Sequence, residues 1–196
     1  MSSQSIPTLR LFIAIEIPQR DSLAALQKRL QPLDKTRAIR WTAPDSIHLT
    51  LKFLGETPAS RQSEIETALI EAAKDHAPFD LTIGGVGCFP DLRKPRVVWA
   101  GLGGGVTALI SLRDAVERTV SPLGYPTEAR PFSPHLTLGR ARQDAARSAL
   151  AAFGEQIGKQ KIDTLYSWRV DGISLMRSEL KPSGAVYTQL VKIVFS

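Results

Sequence analysis

Two stretches constrain this chain more than any others: Ser46-Ile47-His48-Leu49-Thr50-Leu51 and Ser133-Pro134-His135-Leu136-Thr137-Leu138. Each holds the tetrapeptide His-Leu-Thr-Leu in an apolar run that alternates as a strand does. The chain has three histidines, and two of them fall in this repeat, one in each half. Strand periodicity puts His48 and Thr50 on one face, with Leu49 and Leu51 on the other, and does the same for His135 and Thr137. An imidazole and a hydroxyl pointing the same way, twice, is the layout of a catalytic site built in two halves.

The remaining signals supply a frame for those strands. Leu9 to Ile17 is apolar and β-branched, a buried strand ended by Pro18. Leu23, Leu26, Leu30 and Leu33 then recur at helical spacing. Ala38 to Thr42 reads as a short strand, and the first motif strand as Ile47 to Leu54, stopping at Gly55. Thr57-Pro58 is a helix-start signal before the stripe Ile65, Ala68, Leu69, Ala72 and Ala73. Phe79 to Phe89 is strand-like, with a bend at Gly84, Gly85 and Gly87, and Pro90 to Pro95 is a basic loop. Arg96 to Leu102 is another buried strand. Gly103-Gly104-Gly105 precedes a helix with Leu109, Leu112, Val116 and Val120 in register. That triple glycine matches no dinucleotide or Walker fingerprint and is read as a linker.

The second motif strand spans His135 to Ala141, followed by a helix over Asp144 to Phe153. Two last strands, Trp168 to Met176 and Tyr187 to Phe195, are joined by a turn at Lys181-Pro182-Ser183-Gly184. Strand, helix, strand, strand thus recurs in both halves. The pattern predicts an α+β fold of two pseudo-symmetric lobes of antiparallel sheet with outer helices, the motif strands facing a central groove. At 196 residues the chain suits a single bilobal domain over 1–196, with residues 1–8 a flexible start.

Charge and cysteine content narrow the function. A net charge of +6 favours a polyanionic partner, nucleic acid or a phosphorylated small molecule. The single cysteine, Cys88, excludes an internal disulfide and fits a reducing cytoplasm. No apolar stretch approaches the roughly 20 residues of a membrane span. No third His, Cys or carboxylate sits at ligand spacing in either motif strand, which disfavours a metal site.

Two imidazoles in one cleft suit concerted acid–base catalysis, one ring neutral and accepting a proton while the other is charged and donates. Displacement at phosphorus needs this pairing most, with the threonine hydroxyls placed to bond the non-bridging oxygens. Arg140 is the best candidate cation, since a guanidinium binds phosphate bidentately. Its parity is opposite to the histidine face, so it needs a bend to reach inward. Lys52 has the correct parity beside His48 but reads better as a solvated side chain.

The residues resemble a known family. His48-Leu49-Thr50-Leu51-Lys52-Phe53-Leu54-Gly55-Glu56 and Pro134-His135-Leu136-Thr137-Leu138-Gly139-Arg140 are similar to the paired His-x-Thr-x motifs of the 2H phosphoesterase superfamily. The nearer likeness is to its RNA 2′,3′-cyclic phosphodiesterase (2′-5′ RNA ligase-like) branch. Arg10-Leu11-Phe12-Ile13-Ala14-Ile15, Pro95-Arg96-Val97-Val98-Trp99, and Ser178-Glu179-Leu180 with Gly184 and Tyr187 extend it over nearly the whole chain. The resemblance implies a bilobal pseudo-twofold fold and metal-independent hydrolysis of RNA or nucleotide 2′,3′-cyclic phosphate to a 2′-phosphate, with possible 2′-5′ ligation. It implies His48 as the acid protonating O3′, His135 as the base activating water, and Thr50, Thr137 and Arg140 as phosphate ligands. No cofactor is expected, the partner is an RNA end or nucleotide, and the enzyme is expected to be a cytoplasmic monomer. The alternatives are an RNA-binding module without turnover, or a phosphodiesterase for another small cyclic phosphodiester. Phe12 and Phe53 are candidates to stack on a base but, lying in apolar runs, are read as core, as are the tryptophans Trp41, Trp99 and Trp168, and His76 is read as a solvated helix-end residue.

Overall fold

A computed structural model describes residues 7–181 and 184–196. The described residues form nine strands and four α-helices. β1 (Thr8–Glu16) is buried from Leu11 to Ile15, as its apolar run requires. Of the flexible start expected over residues 1–8, the first six lie outside the described residues. Pro7 and Thr8 are held: the Ala59 N–H donates to the Pro7 carbonyl, and Thr8 pairs with Pro58. α1 (Arg20–Leu30) buries Leu23, Leu26 and Leu30. Leu33 falls in a 3-10 turn instead, because Pro32 has no N–H to carry the helical hydrogen-bond ladder onward. β2 (Ile39–Trp41) follows.

β3 (His48–Pro58) runs four residues beyond the expected stop. Gly55, at φ +73°, lets the strand bulge and continue rather than end. Thr57 is therefore not a helix cap. It is buried in the strand, where its hydroxyl accepts a bond from the Tyr125 hydroxyl at 3.2 Å. After a short 3-10 turn, α2 (Gln62–Ala73) buries Ile65, Leu69, Ala72 and Ala73. β4 (Phe79–Phe89) is bulged at Gly85, as the glycines predict. β5 (Val97–Gly104) takes in two glycines of the triplet, and the third precedes α3 (Val106–Val120). A Cβ at Gly104 or Gly105 would lie 2.8 or 2.9 Å from the Asp80 carbonyl oxygen. Close packing on β4 accounts for this triplet.

β6 (His135–Ala141) has the expected bounds. α4 (Arg147–Gly158) starts and ends later than expected, because Ala146 is extended and Ile157 prolongs the buried stripe of Leu150 and Phe153. The expected strand Trp168 to Met176 is two strands, β7 (Tyr166–Val170) and β8 (Gly172–Lys181), which join different sheets. Asp171 makes the corner, its carbonyl taking the Phe195 N–H at 2.8 Å. A Cβ on Gly172 would overlap the Ile193 carbonyl oxygen, so the corner requires glycine. β9 (Gly184–Val194) completes the chain. Of the turn expected before it, Pro182 and Ser183 lie outside the described residues.

Two antiparallel sheets result, in the orders β3-β1-β8-β9 and β2-β6-β5-β4-β7. The α+β, two-lobed architecture is the one expected, but its halves are interlaced. The repeat is β1-α1-β3 and β5-α3-β6, each motif strand pairing with the strand before its helix. β2 is an addition that crosses to pair with β6. α2 and α3 pack on each other, α2 against β8 and β9 and α3 against β3, while α4 packs on β4. Gln27 of α1, buried, donates to the carbonyls of Thr42 and Leu138 at 2.7 and 2.8 Å, tying this first-half helix to the second motif strand. A continuous apolar cluster includes Leu11, Ile13 and Leu175 of one sheet and Ile83, Val98 and Leu138 of the other. Trp41 packs edge-on against Phe153, and Trp168 stacks on Tyr166.

Candidate active site

β3 and β6 approach each other, and each opens with its histidine. His48, Thr50, His135, Thr137 and Arg140 all line one cleft of about 610 Å³. The alternation read from the sequence explains the first four. Leu49, Leu51, Leu136 and Leu138 are buried, while the histidines and threonines between them stay half-exposed toward the cleft.

Each imidazole is oriented in the same way. His48 Nδ1 lies 3.0 Å from the Ser46 carbonyl and His135 Nδ1 lies 2.7 Å from the Ser133 carbonyl. A carbonyl only accepts, so Nδ1 carries the proton in both rings and Nε2 is left free for chemistry. The serine two residues before each histidine was a sequence signal whose meaning lay in its backbone oxygen.

Aromatic walls hold the rings. Phe12 lies 4.6 Å from the His48 ring and Tyr187 meets it edge-on at 4.8 Å. Phe89 meets His135 edge-on at 4.9 Å. Burial lowers the His48 pKa to about 4, its bond to Ser46 opposing the shift and the nearby Arg20 charge adding slightly to it. His135 is lowered too, first by burial, with Ser133 opposing and Arg140 adding. Both rings are therefore neutral near pH 7 in the ligand-free site.

One distortion, made twice, places the remaining groups. Opposite β1, the partners of Ile13 and Ala14 are Lys52 and Thr50, which leaves Leu51 as an extra residue. Opposite β5, the partners of Val98 and Trp99 are Gly139 and Thr137, which leaves Leu138 extra. A bulge at the same point of both motifs reverses the alternation beyond it. Arg140, five residues after His135, is thereby returned to the histidine face. This is the bend that its parity demanded.

The same bulge overturns the readings of Lys52 and Phe53. Lys52 turns into the protein, 2% exposed, with Nζ 2.9 Å from Glu117 and 2.5 Å from the Pro126 carbonyl. It is neither solvated nor a free cation for substrate. Phe53, expected in the core, is 58% exposed at the cleft, at the place in β3 that Arg140 holds in β6. Phe12 is core, as expected. Sequence reasoning passed over Arg96 and Arg130, which also line the cleft. Their signal was a basic residue flanking each element that enters it. His76 is half-buried against Phe195, 6.2 Å between ring centres, rather than solvated, and does not line the cleft. Among the described residues no group of three or more His, Cys, Asp or Glu side chains could hold a metal ion. None of their helices is long and apolar enough to cross a membrane.

The cleft therefore presents two imidazoles, two threonine hydroxyls and several arginines, Arg140 among them, to one volume. Known proteins are similar to this chain in sequence and fold. A family model described as the 2′-5′ RNA ligase superfamily matches residues 18–182. The RNA 2′,3′-cyclic phosphodiesterase of Methanothermobacter thermautotrophicus is 33% identical over 93% of this chain and 96% of its own. That of Thermus thermophilus is 34% identical over 94% and 89%. The crystal structure of TT0787 of Thermus thermophilus superposes with a TM-score of 0.77 at 31% identity, covering 95% of this chain and 98% of that one. E. coli LigT complexed with 3′-AMP gives 0.76 at 26%, covering 97% and 99%. The motifs, the fold and these likenesses agree: the chain belongs to the 2′-5′ RNA ligase superfamily, the 2H phosphoesterases.

Proposed function

We propose that this protein hydrolyses the 2′,3′-cyclic phosphodiester of RNA ends or nucleotides to a 2′-phosphate. The observation that carries the reading is the matched pair of rings, each with Nδ1 tied to a carbonyl and Nε2 free in one arginine-bearing cleft. His135 Nε2 takes a proton from water as its oxygen attacks phosphorus. The P–O3′ bond breaks, and His48 Nε2–H gives its proton to the departing O3′. Thr50 and Thr137 donate hydrogen bonds to the non-bridging oxygens, where charge builds, and Arg140 spans two of them. A 5′-hydroxyl in place of water would yield a 2′-5′ linkage by the same steps. Phe53, exposed beside the reacting face, serves as a stacking platform for the base. Phe53→Ala should raise KM for a 2′,3′-cyclic nucleotide about tenfold while leaving kcat within a few-fold, since one base–aromatic stack contributes ~1–3 kcal/mol.

Both histidines come from one chain, which suits a monomer. Its one thiol, Cys88, is buried with its pKa pushed up to about 12, so it stays protonated and suits a reducing cytoplasm. The test is turnover of a 2′,3′-cyclic mononucleotide and a short cyclic-ended RNA in excess EDTA, with the product's phosphate position read by chromatography. Product bearing a 2′-phosphate supports the reading. No turnover of either substrate overturns it and favours an RNA-binding module.

The titrations predict the pH dependence. The working state holds one proton on the pair. At low pH both rings are charged, His48 only below about 4, and no base remains, while well above both lowered pKa values neither ring holds a proton to donate. kcat/KM should therefore trace a bell with its maximum below 6.5, the ordinary histidine value. The kcat profile should lie at higher pH, because bound phosphate favours imidazolium. A kcat/KM profile that rises steadily to about pH 9 would contradict this assignment.

A further inference from the structure

β2 is the edge strand of its sheet, and in its pairing with β6 Arg40 stands directly opposite Arg140. Directly opposed residues of an antiparallel pair leave the sheet on the same face, with Cβ atoms ~4.5–5.5 Å apart. Arg40 therefore shares the face from which Arg140 enters the cleft. Its neighbours fit the alternation, since Ile39 is buried and Trp41 packs on Phe153. Both arginines are exposed, and among the described residues neither is paired with a carboxylate. Like charges set directly across a ladder cost stability, so this pair is better suited to binding than to folding. On the other side, Arg96 precedes Val97, the β5 partner of Arg140, and also lines the cleft. Arg140 and Arg40 thus stand on neighbouring strands, about 4.8 Å apart, in a line from the cleft to the sheet edge.

A cyclic mononucleotide has one phosphate, and Thr50, Thr137 and Arg140 are enough to hold it. Arg40 lies one strand further out, where a second phosphate would fall. We propose that Arg40 binds the phosphodiester on the 5′ side of the reacting nucleotide, so that an RNA chain leaves the cleft across β6 and β2. This inference rests on the cyclic phosphodiesterase reading above. It makes Arg40 a determinant of chain-length preference, separate from the residues that hold the reacting phosphate.

The experiment compares kcat/KM for a 2′,3′-cyclic mononucleotide and a five-nucleotide RNA with a cyclic end, across a salt series, in wild type, Arg40→Gln and Arg40→Lys. Arg40→Gln should lower the RNA-to-mononucleotide ratio about tenfold, through KM. It should also make the log–log salt dependence for RNA shallower by about 0.7, the slope of one single-strand phosphate contact. Arg40→Lys, which keeps the charge, should recover most of both effects. An unchanged ratio and slope in Arg40→Gln overturns the proposal even where the wild type is active. Failure of the wild type on both substrates is instead failure of the hydrolase reading. Fluorescence anisotropy with a 3′-phosphorylated five-nucleotide RNA then tests Arg40 without turnover, by the same comparison of affinity and salt slope.

Discussion

Replacing His135 with Ala should lower kcat for a 2′,3′-cyclic nucleotide by about 10³–10⁴-fold in excess EDTA, with KM changed far less. A positioned base or acid is worth ~10²–10⁴ in rate, and here the two act in one concerted step. His48→Ala should cost a similar factor, and the double variant little more than either single one, because groups that work as a unit are not additive. The control that separates catalysis from binding is RNA affinity, which should survive in the double variant. Turnover that persists in both single variants would remove the two-histidine mechanism. Substrates with a better leaving group add a sharper test. A cyclic phosphate ester whose departing oxygen needs no proton should restore much of the rate to the variant lacking the acid and none to the variant lacking the base. By the roles given above, His48→Ala is the one rescued.

The largest loss of stability is expected from Glu117→Ala. Glu117 is buried in α3 between two cations, 2.9 Å from Lys52 Nζ and 3.0 Å from an Arg113 nitrogen. Lys52 and Glu117 have side chains only 3% and 5% exposed. Removing the carboxylate leaves Lys52 buried with no counter-charge and Arg113 with only the exposed Asp114, and breaking a buried pair in this way costs ~3–5 kcal/mol. For a chain of this size that is a fall in Tm of roughly 10 °C, or an equivalent shift in the urea midpoint. Lys52→Met should cost less, because Arg113 still neutralises Glu117 when Lys52 is gone. Equal losses in the two variants would contradict this account of the network. The site should feel the change too. Lys52 holds the Pro126 carbonyl, and Arg113 lies over the Phe132 ring at 5.5 Å, so both anchor the segment that delivers the Ser133 carbonyl to His135.

The readings that held and those that failed divide along one line. His48, Thr50, His135 and Thr137 were legible because strand alternation is local, and two identical tetrapeptides repeat it. Lys52 and Phe53 were misread because the same rule was carried one residue too far. A bulge at Leu51 depends on how β3 is matched to β1, and no property of Leu51 itself announces it. The identical bulge at Leu138 works in the opposite sense for Arg140, whose parity was wrong for a straight strand and right for a bulged one. The corner at Asp171 is a similar case. Trp168 to Met176 reads as one apolar run, but its two halves join different sheets. The Phe195 N–H on the Asp171 carbonyl and the Ile193 carbonyl against Gly172 fix the break, and both are contacts distant in the chain.

Sequence alone determined most of the strands and helices, the two motif strands, the α+β class and the alternation that sets His48, Thr50, His135 and Thr137 toward one cleft. Hydrophobic period and turn chemistry act over a few residues, and the chain states them directly. Tertiary structure decided which strands are neighbours, where their registers slip, and hence which side chains enter the cleft. It interlaced the halves, sending β2 across to β6 and Gln27 of α1 to the Leu138 carbonyl. It also set the burial that makes both histidines poor bases in solution terms and neutral rings in the site. Those outcomes depend on contacts between residues far apart in the chain, where a slip of one position turns a side chain from solvent to core.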